Sequence, residues 1–350
     1  MRENRASRFI VFLSHCKDIT HPVQKSVHAK QKYINIGFFS TLSSLIPLRN
    51  GNFDIAMLSI LIPTYNFDCS ALAQELQRQI TTSGITAEVI VMDDASPNHQ
   101  LRNANASINE FPHCRFIQLH HNVGIARIRN LLADEAQYNY LLFLDADVYP
   151  VYDNFITRYL DARDKADVVC GGLMFRATPP SPLCTLRYKY GSIVESQSVE
   201  KRMQQPFAEF RTLNFFISRK AFMATRFNEE FVRYGHEDTF FGKELQQKGF
   251  SITHIDNPIY HDVPDTNEQF LSKTRRSIEN LREHYDLLLS HVKLLRLYDK
   301  LHRYHMSGVI ATLFSIIEPL LLHNLNSSHP SLTLLNIYKA GYICRIMSSK

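Results

Sequence analysis

The sequence predicts an α/β fold, with a mixed, mainly parallel sheet flanked by helices and a helical extension at the C-terminal end. Two observations lead there. From residue 58 onward, short apolar runs alternate with stretches of helical periodicity, the pattern of strands joined by crossover helices. Four successive apolar runs then end in polar clusters, "PTYN", "DDAS", "HHNVG" and "DAD". One polar strand end would mean little, but four in succession describe a cleft at the carboxyl edge of a sheet, where open parallel sheets bind ligands.

Taken in order, the candidate strands are "LSILI" (58–62), "EVIVM" (88–92), "RFIQL" (115–119), "YLLFL" (140–144) and "DVVCGG" (167–172). Between the first two, Leu72, Leu76 and Ile80 recur at helical spacing and Gly84 supplies a stop. Between the third and fourth, "NVGIARIRNLLADEAQ" reads as a helix entered through Asn122 and Gly124. "ATPPSP" (177–182) marks a loop, and residues 191–207 have no clear period. Beyond residue 265, Ile278, Leu281, Tyr285, Leu288, Val292, Leu295, Tyr298 and Leu301 repeat at intervals of three and four, predicting one long amphipathic helix. The following run "GVIATLFSIIEPLLL" (308–322) is interrupted by Glu318 and Pro319 and falls short of the roughly 20 residues a bilayer span needs. A packed helix is expected there. Peripheral membrane contact is the sharper alternative, because residues 273–303 hold eight Lys or Arg against four acidic residues.

The net charge of +5 resides at the N-terminal end: residues 1–56 carry eight Lys or Arg against three acidic residues, and the other 294 balance 31 against 31. A neutral body argues against a nucleic-acid partner, which needs clustered cations on the folded part. The six cysteines are scattered without a C-x-x-C pair, so neither a zinc site nor a disulfide framework is expected, only reduced structural thiols. "FIVFL" is too short for a secretion signal, and His15 stands where a lipoprotein site needs a small residue, so a cytoplasmic protein is expected, peripheral at the inner membrane face if the helices touch lipid. Met57 directly precedes the first strong strand. The chain therefore divides into a basic leader (1–56), dispensable or an over-extension of the reading frame, a main α/β domain (57–262) and a C-terminal helical region (263–350).

"LLFLDADVYP" drives a buried strand into two carboxylates, Asp145 and Asp147. They repel one another unless a cation sits between them and an anionic ligand, the usual construction of a Mg²⁺ or Mn²⁺ site for phosphates. D-x-D also occurs in turns, where each Asp caps backbone amides. The preceding strand and the other polar strand ends favour the cation.

"LSILIPTYN", "VIVMDDAS", "NVGIARIRN", "LLFLDADVYP" and "GHEDTFFGKEL", in this order over residues 57–262, resemble the motifs of family 2 glycosyltransferases. The resemblance implies a GT-A fold, a Rossmann-like sheet binding a nucleotide-sugar with Mn²⁺ or Mg²⁺. It implies an inverting, hexosyltransferase-type reaction of polysaccharide biosynthesis, with a UDP-sugar as donor and a saccharide or lipid-linked saccharide as acceptor. By position it assigns Pro63, Thr64 and Tyr65 to the nucleotide, and Asp93 or Asp94 to base and ribose. Asn122, Gly124 and Arg129 fall at a helix start whose amides and cation suit phosphates; Asn130 is expected only to fix that helix. Asp145 and Asp147 fall to donor and metal, His261 of "NPIYHDV" is a third metal ligand, and Asn214 flanks donor sugar and acceptor.

"YGHEDTFFGKEL" places Glu237 and Asp238 at a helix start, where the family carries its catalytic base. Asp238 is assigned as base and Glu237 as acceptor-binding partner, against the plainer reading that both cap the helix. His236 departs from the small residue many relatives carry there. Two rivals stay open: a phosphohydrolase of the haloacid dehalogenase type, disfavoured because Tyr149 stands where it needs Thr or Val, and a non-catalytic nucleotide- or glycan-binding protein on the same fold.

Overall fold

The computed structural model describes residues 57–179, 181–261 and 265–348; the expected leader, residues 1–56, lies outside them, as does the expected domain boundary at 262/263. β1 (Leu58–Thr64) is buried along its whole length because it lies inside a sheet, between two neighbours, covered on both faces. The chain returns through α1 (Ser70–Ser83), which ends at Gly84 in the left-handed region (φ 67°), to β2 (Ala87–Asp93). It continues through α2 (His99–Ala106), β3 (Cys114–Gln118), α3 (Ile125–Glu135) and β4 (Tyr140–Leu144). Each run expected to be a strand in this half is one.

After β5 (Tyr149–Pro150) and α4 (Phe155–Asp161) come β6 (Val168–Cys170) and β7 (Leu173–Met174), then short helical turns between Pro182 and Met203. β8 (Asn214–Ser218) and α5 (Arg219–Thr225) lead to α6 (Glu237–Gln247), β9 (Ile252–His254) and β10 (Ile259–Tyr260). The main sheet has the order β3-β2-β1-β4-β8-β6-β9. All its pairings are parallel except those of β8, which runs antiparallel between β4 and β6. The mixed, mainly parallel α/β architecture is thus present, and the reversal at β8 makes the sheet mixed. A smaller sheet has the order β5-β10-β7, with β10 antiparallel to β5 and parallel to β7.

The C-terminal region corrects the single long helix. The apolar periodicity of residues 278–301 is carried by α7 (Asn267–Glu283), a turn of helix at Tyr285–Leu288, and α8 (Lys293–Arg303). The helix breaks at His284 (φ −107°, ψ 32°), so its apolar residues pack from two directions into one core with Leu335, Tyr338 and Ile343. α9 (Ser307–Leu325) continues through Pro319 and packs against α10 (Leu332–Ser348).

These helices dock on the preceding region rather than standing apart. Asn267 Oδ1 accepts from Leu186 N (2.7 Å), Lys189 Nζ donates to Pro330 O (2.9 Å), and Leu186 and Phe231 share the helical core. Residues 57–348 belong to one compact unit. Cys69, Cys114, Cys170, Cys184 and Cys344 are buried.

Candidate active site

A cleft of about 860 Å³ opens at the carboxyl ends of β1, β2 and β4. Pro63, Thr64, Tyr65, Asp94, Asn122, Gly124, Arg129, Asp145, Asp147, Glu237, Asp238 and His261 all line it. Two expected residues do not. Asp93 is fully buried, its carboxylate taking the Ser96 amide (3.0 Å) and hydroxyl. Asn214 is buried at the start of β8, donating to Gly172 O (2.8 Å) and Asn257 O (3.0 Å) while its Oδ1 accepts from Tyr159 Oη (2.5 Å). Both stand behind the wall, with their polar atoms spent on protein.

Tyr65 follows β1 directly and is 51% exposed, a free ring at the cleft mouth. Asp94 uses one oxygen on Val123 N (2.7 Å) and the other on Gly124 N (3.0 Å). Burial raises its pKa, and the two amides oppose that rise. The anion site expected at the start of α3 is therefore filled by the protein's own carboxylate. Gly124 sits at φ 84°, which turns both amides toward Asp94 and which a side chain rarely adopts. Asn130 bonds Phe227 N and O (2.9 Å each) and Glu229 (2.9 Å), fixing the helix as expected.

Arg129, 2% exposed on α3, ties the two acidic motifs together. Its Nη2 donates to Asp145 Oδ1 (2.8 Å) and its Nη1 to Glu237 Oε1 (3.1 Å), over the Phe227 ring. The family resemblance implied a cation for phosphates; burial commits it instead to two carboxylates. Burial pushes the Asp145 carboxyl up, with Asp147 adding to the rise and Arg129 opposing it. Burial, then the neighbouring Asp238, pushes Glu237 up to about 7. Glu237 Oε2 is buried with no hydrogen-bond partner. Asp238 Oδ1 accepts from Thr239 N (2.6 Å) within the first turn of α6.

On the opposite wall, His261 Nε2 lies 3.2 Å from Asp147 Oδ2 and Nδ1 lies 3.2 Å from Arg187 Nη2. Arg187 in turn donates to Glu195 Oε2 (2.7 Å). Burial opposes charge on both His261 and Asp147. Their mutual attraction outweighs it, raising the histidine and lowering the aspartate. Carboxylate and imidazole suit Mn²⁺, and two ligands of one cation stand about 3 Å apart. The donor chemistry therefore fits a divalent ion. Asp145 is turned to Arg129, however, and among the described residues no three such donors converge.

Among the residues that line this cleft or support its wall, sequence reasoning missed Arg187, Glu195, Ser277 and Asn280. Arg187 and Glu195 come from an aperiodic loop and the helical turns around it. Ser277 and Asn280 come from α7: Ser277 Oγ lies 2.9 Å from His236 Nε2, and Asn280 Nδ2 donates to Gly235 O (2.5 Å). Gly235 (φ 96°) and His236 (φ 72°) are both left-handed, and a Cβ at Gly235 would come within 2.9 Å of Ser277 Oγ. This turn aims Glu237 and Asp238 into the cleft, and α7 holds it. No motif signals that contribution.

Residues 59–230 match the family described as Glycosyl transferase family 2. The chain is 27% identical over 249 residues to a protein named chondroitin synthase from Escherichia coli, covering 60% of this chain and 35% of that protein. It is 25% identical over 248 residues to an uncharacterized glycosyltransferase of Haemophilus influenzae, covering 65% of this chain and 77% of that protein. Among solved structures it is similar to S. aureus TarS 1-349 in complex with UDP-GlcNAc, with TM-score 0.45 and 16% identity, covering 83% of this chain and 92% of that one. The chain spans about a third of the length of the chondroitin synthase.

Proposed function

Residues 59–230 are a family 2 glycosyltransferase domain, and from that premise we propose that the chain is an inverting transferase moving a sugar from a UDP-sugar to a hydroxyl of a saccharide or lipid-linked saccharide. The observation that carries this reading is the single buried Arg129 joining Asp145 to Glu237 across one cleft, which brings the D-A-D and E-D motifs to the same substrate volume.

Tyr65, with Pro63 and Thr64, faces the nucleotide, and Asp94 with Asn122 and Gly124 forms the wall beside it. Asp93 and Asn214 keep that wall in shape from behind. Asp147 and His261, with Asp145, would hold Mn²⁺ or Mg²⁺, which when bound offsets charge on the departing diphosphate. Asp238 accepts the proton of the acceptor hydroxyl as its oxygen bonds to the sugar C1 and the C1–diphosphate bond breaks, inverting that carbon. Glu237, fixed by Arg129 through one oxygen, is the acceptor-binding partner in this reading.

The similarity to a protein named chondroitin synthase supports a saccharide acceptor. A peripheral contact at the cytoplasmic face of a membrane fits the same reading, because a lipid-linked acceptor lies at a bilayer surface. The decisive experiment incubates the protein with Mn²⁺ and a panel of nucleotide-sugars, then analyses the linkage formed. Donor hydrolysis or transfer with one UDP-sugar is expected. Release of phosphate from sugar phosphates, or binding without turnover, would overturn the proposal in favour of a phosphohydrolase or a binding protein.

A further inference from the structure

On α9, Val309, Leu313, Ile316, Ile317 and Leu320 recur at intervals of three and four, so they form one stripe. The stripe faces outward: Val309 is 59% exposed, Leu313 55%, Ile316 69% and Leu320 73%. The opposite face, with Phe314, Leu321 and Leu325, is buried in the helical core. Between the apolar residues, the hydroxyls of Thr312 and Ser315 are satisfied within the helix, donating to Gly308 O and Ala311 O (3.0 Å each). Glu318, the one charged residue of α9, is turned away into an ion pair with Arg345. The stripe therefore carries no charge, and contiguous apolar surface of this kind marks an interaction site.

We propose that this face is a docking surface for an anionic lipid bilayer, engaged in the plane of the membrane. Charge selects the occupant. Residues 290–348 hold six Lys or Arg (293, 296, 300, 303, 339, 345) against two acidic residues, Asp299 and Glu318. Both acids are committed, Asp299 to Arg303 (2.5 Å) and Glu318 to Arg345. Lys293, Arg296 and Lys300 are exposed on α8, and among the described residues no carboxylate pairs with them. Leu297 and Tyr304 are exposed beside them. A second copy of the chain would bring this region like charge and no free acid, whereas phosphate headgroups complement it. The helix lies on the bilayer rather than crossing it, because one of its faces is taken by α10.

The surface stands apart from sugar transfer, and vesicles read it without a donor. The full chain is sedimented with vesicles of phosphatidylcholine, with and without phosphatidylglycerol, beside the variants Ile316→Glu/Leu320→Glu and Lys293→Glu/Lys300→Glu. All four positions are exposed, so unchanged melting and circular dichroism are expected to show that the variants fold. The native chain should partition onto the anionic vesicles, and each variant should lose about tenfold or more of that binding. Equal partitioning of native and variant protein, or none by either, overturns the proposal. So does a dimer by light scattering that the Ile316→Glu/Leu320→Glu variant dissociates, since that gives the face to a second copy. A chain that binds vesicles yet hydrolyses no donor would instead count against the transferase.

Discussion

At Arg129 one guanidinium serves two carboxylates while nine-tenths and more of it is shut away from water. Removing one partner of such a buried set leaves charge unpaired, at about 3–5 kcal/mol. Arg129→Met should therefore lower stability by that order in urea titration, and adding Glu237→Gln should restore part of it, because it removes a carboxyl group left without its partner. Additive losses would show that the pair is not coupled. The two acidic motifs should separate by kinetics. Asp147→Asn should cut Mn²⁺-dependent UDP affinity on the order of 100-fold by calorimetry; unchanged affinity would remove Asp147 from the metal. Asp238→Asn should leave donor binding intact and lower kcat by about 10²–10⁴-fold. A variant within a few-fold of native kcat would place the base elsewhere.

At the scale of elements, α7 reaches into the site through Asn280, which is fully buried and holds Gly235 O at 2.5 Å. Asn280→Ala would leave that carbonyl unpaired, costing about 1–3 kcal/mol, and would free the left-handed turn before Glu237. The expected signature is a fall in kcat with donor KM nearly constant. Native kcat in a folded Asn280→Ala protein would make the contact merely structural. The same contact shows where sequence reading stops. β1 to β4 were legible because buried parallel strands are continuous apolar runs. β5, β7 and β10 are two-residue strands defined only by their partners, and "NFFIS" of β8 drew notice for Asn214 alone. The break at His284 was hidden because apolar spacing runs unchanged across it. Asp145, Asp147, Glu237 and Asp238 could be found from motifs, whereas Arg187, Glu195, Ser277 and Asn280 carry no local pattern and depend on long-range packing.

For the whole molecule, stability should fall on acidification in a way that one buried histidine reports. His254, at the end of β9, accepts from Arg202 Nη1 at Nδ1 (2.8 Å) and donates from Nε2 to Pro206 O (2.9 Å), the pattern of a neutral ring. Burial lowers its pKa to about 4; the Pro206 carbonyl opposes that shift, and the Arg202 and Arg211 charges reinforce it. A depressed folded-state pKa means that the unfolded chain takes up the proton first. The stabilisation is complete above the ordinary value of 6.5 and is lost progressively as pH falls toward 4. At pH 5 the loss from this residue is about 2 kcal/mol. His254→Gln can keep both hydrogen bonds and cannot titrate, so the difference in urea stability between pH 7.5 and pH 5 should be smaller by about that amount in the variant. His236, which burial likewise holds near 4, is present in both proteins and cancels. If native protein and variant lose the same stability over that interval, His254 is not neutral in the fold, and the acid sensitivity of the molecule lies in its carboxylates.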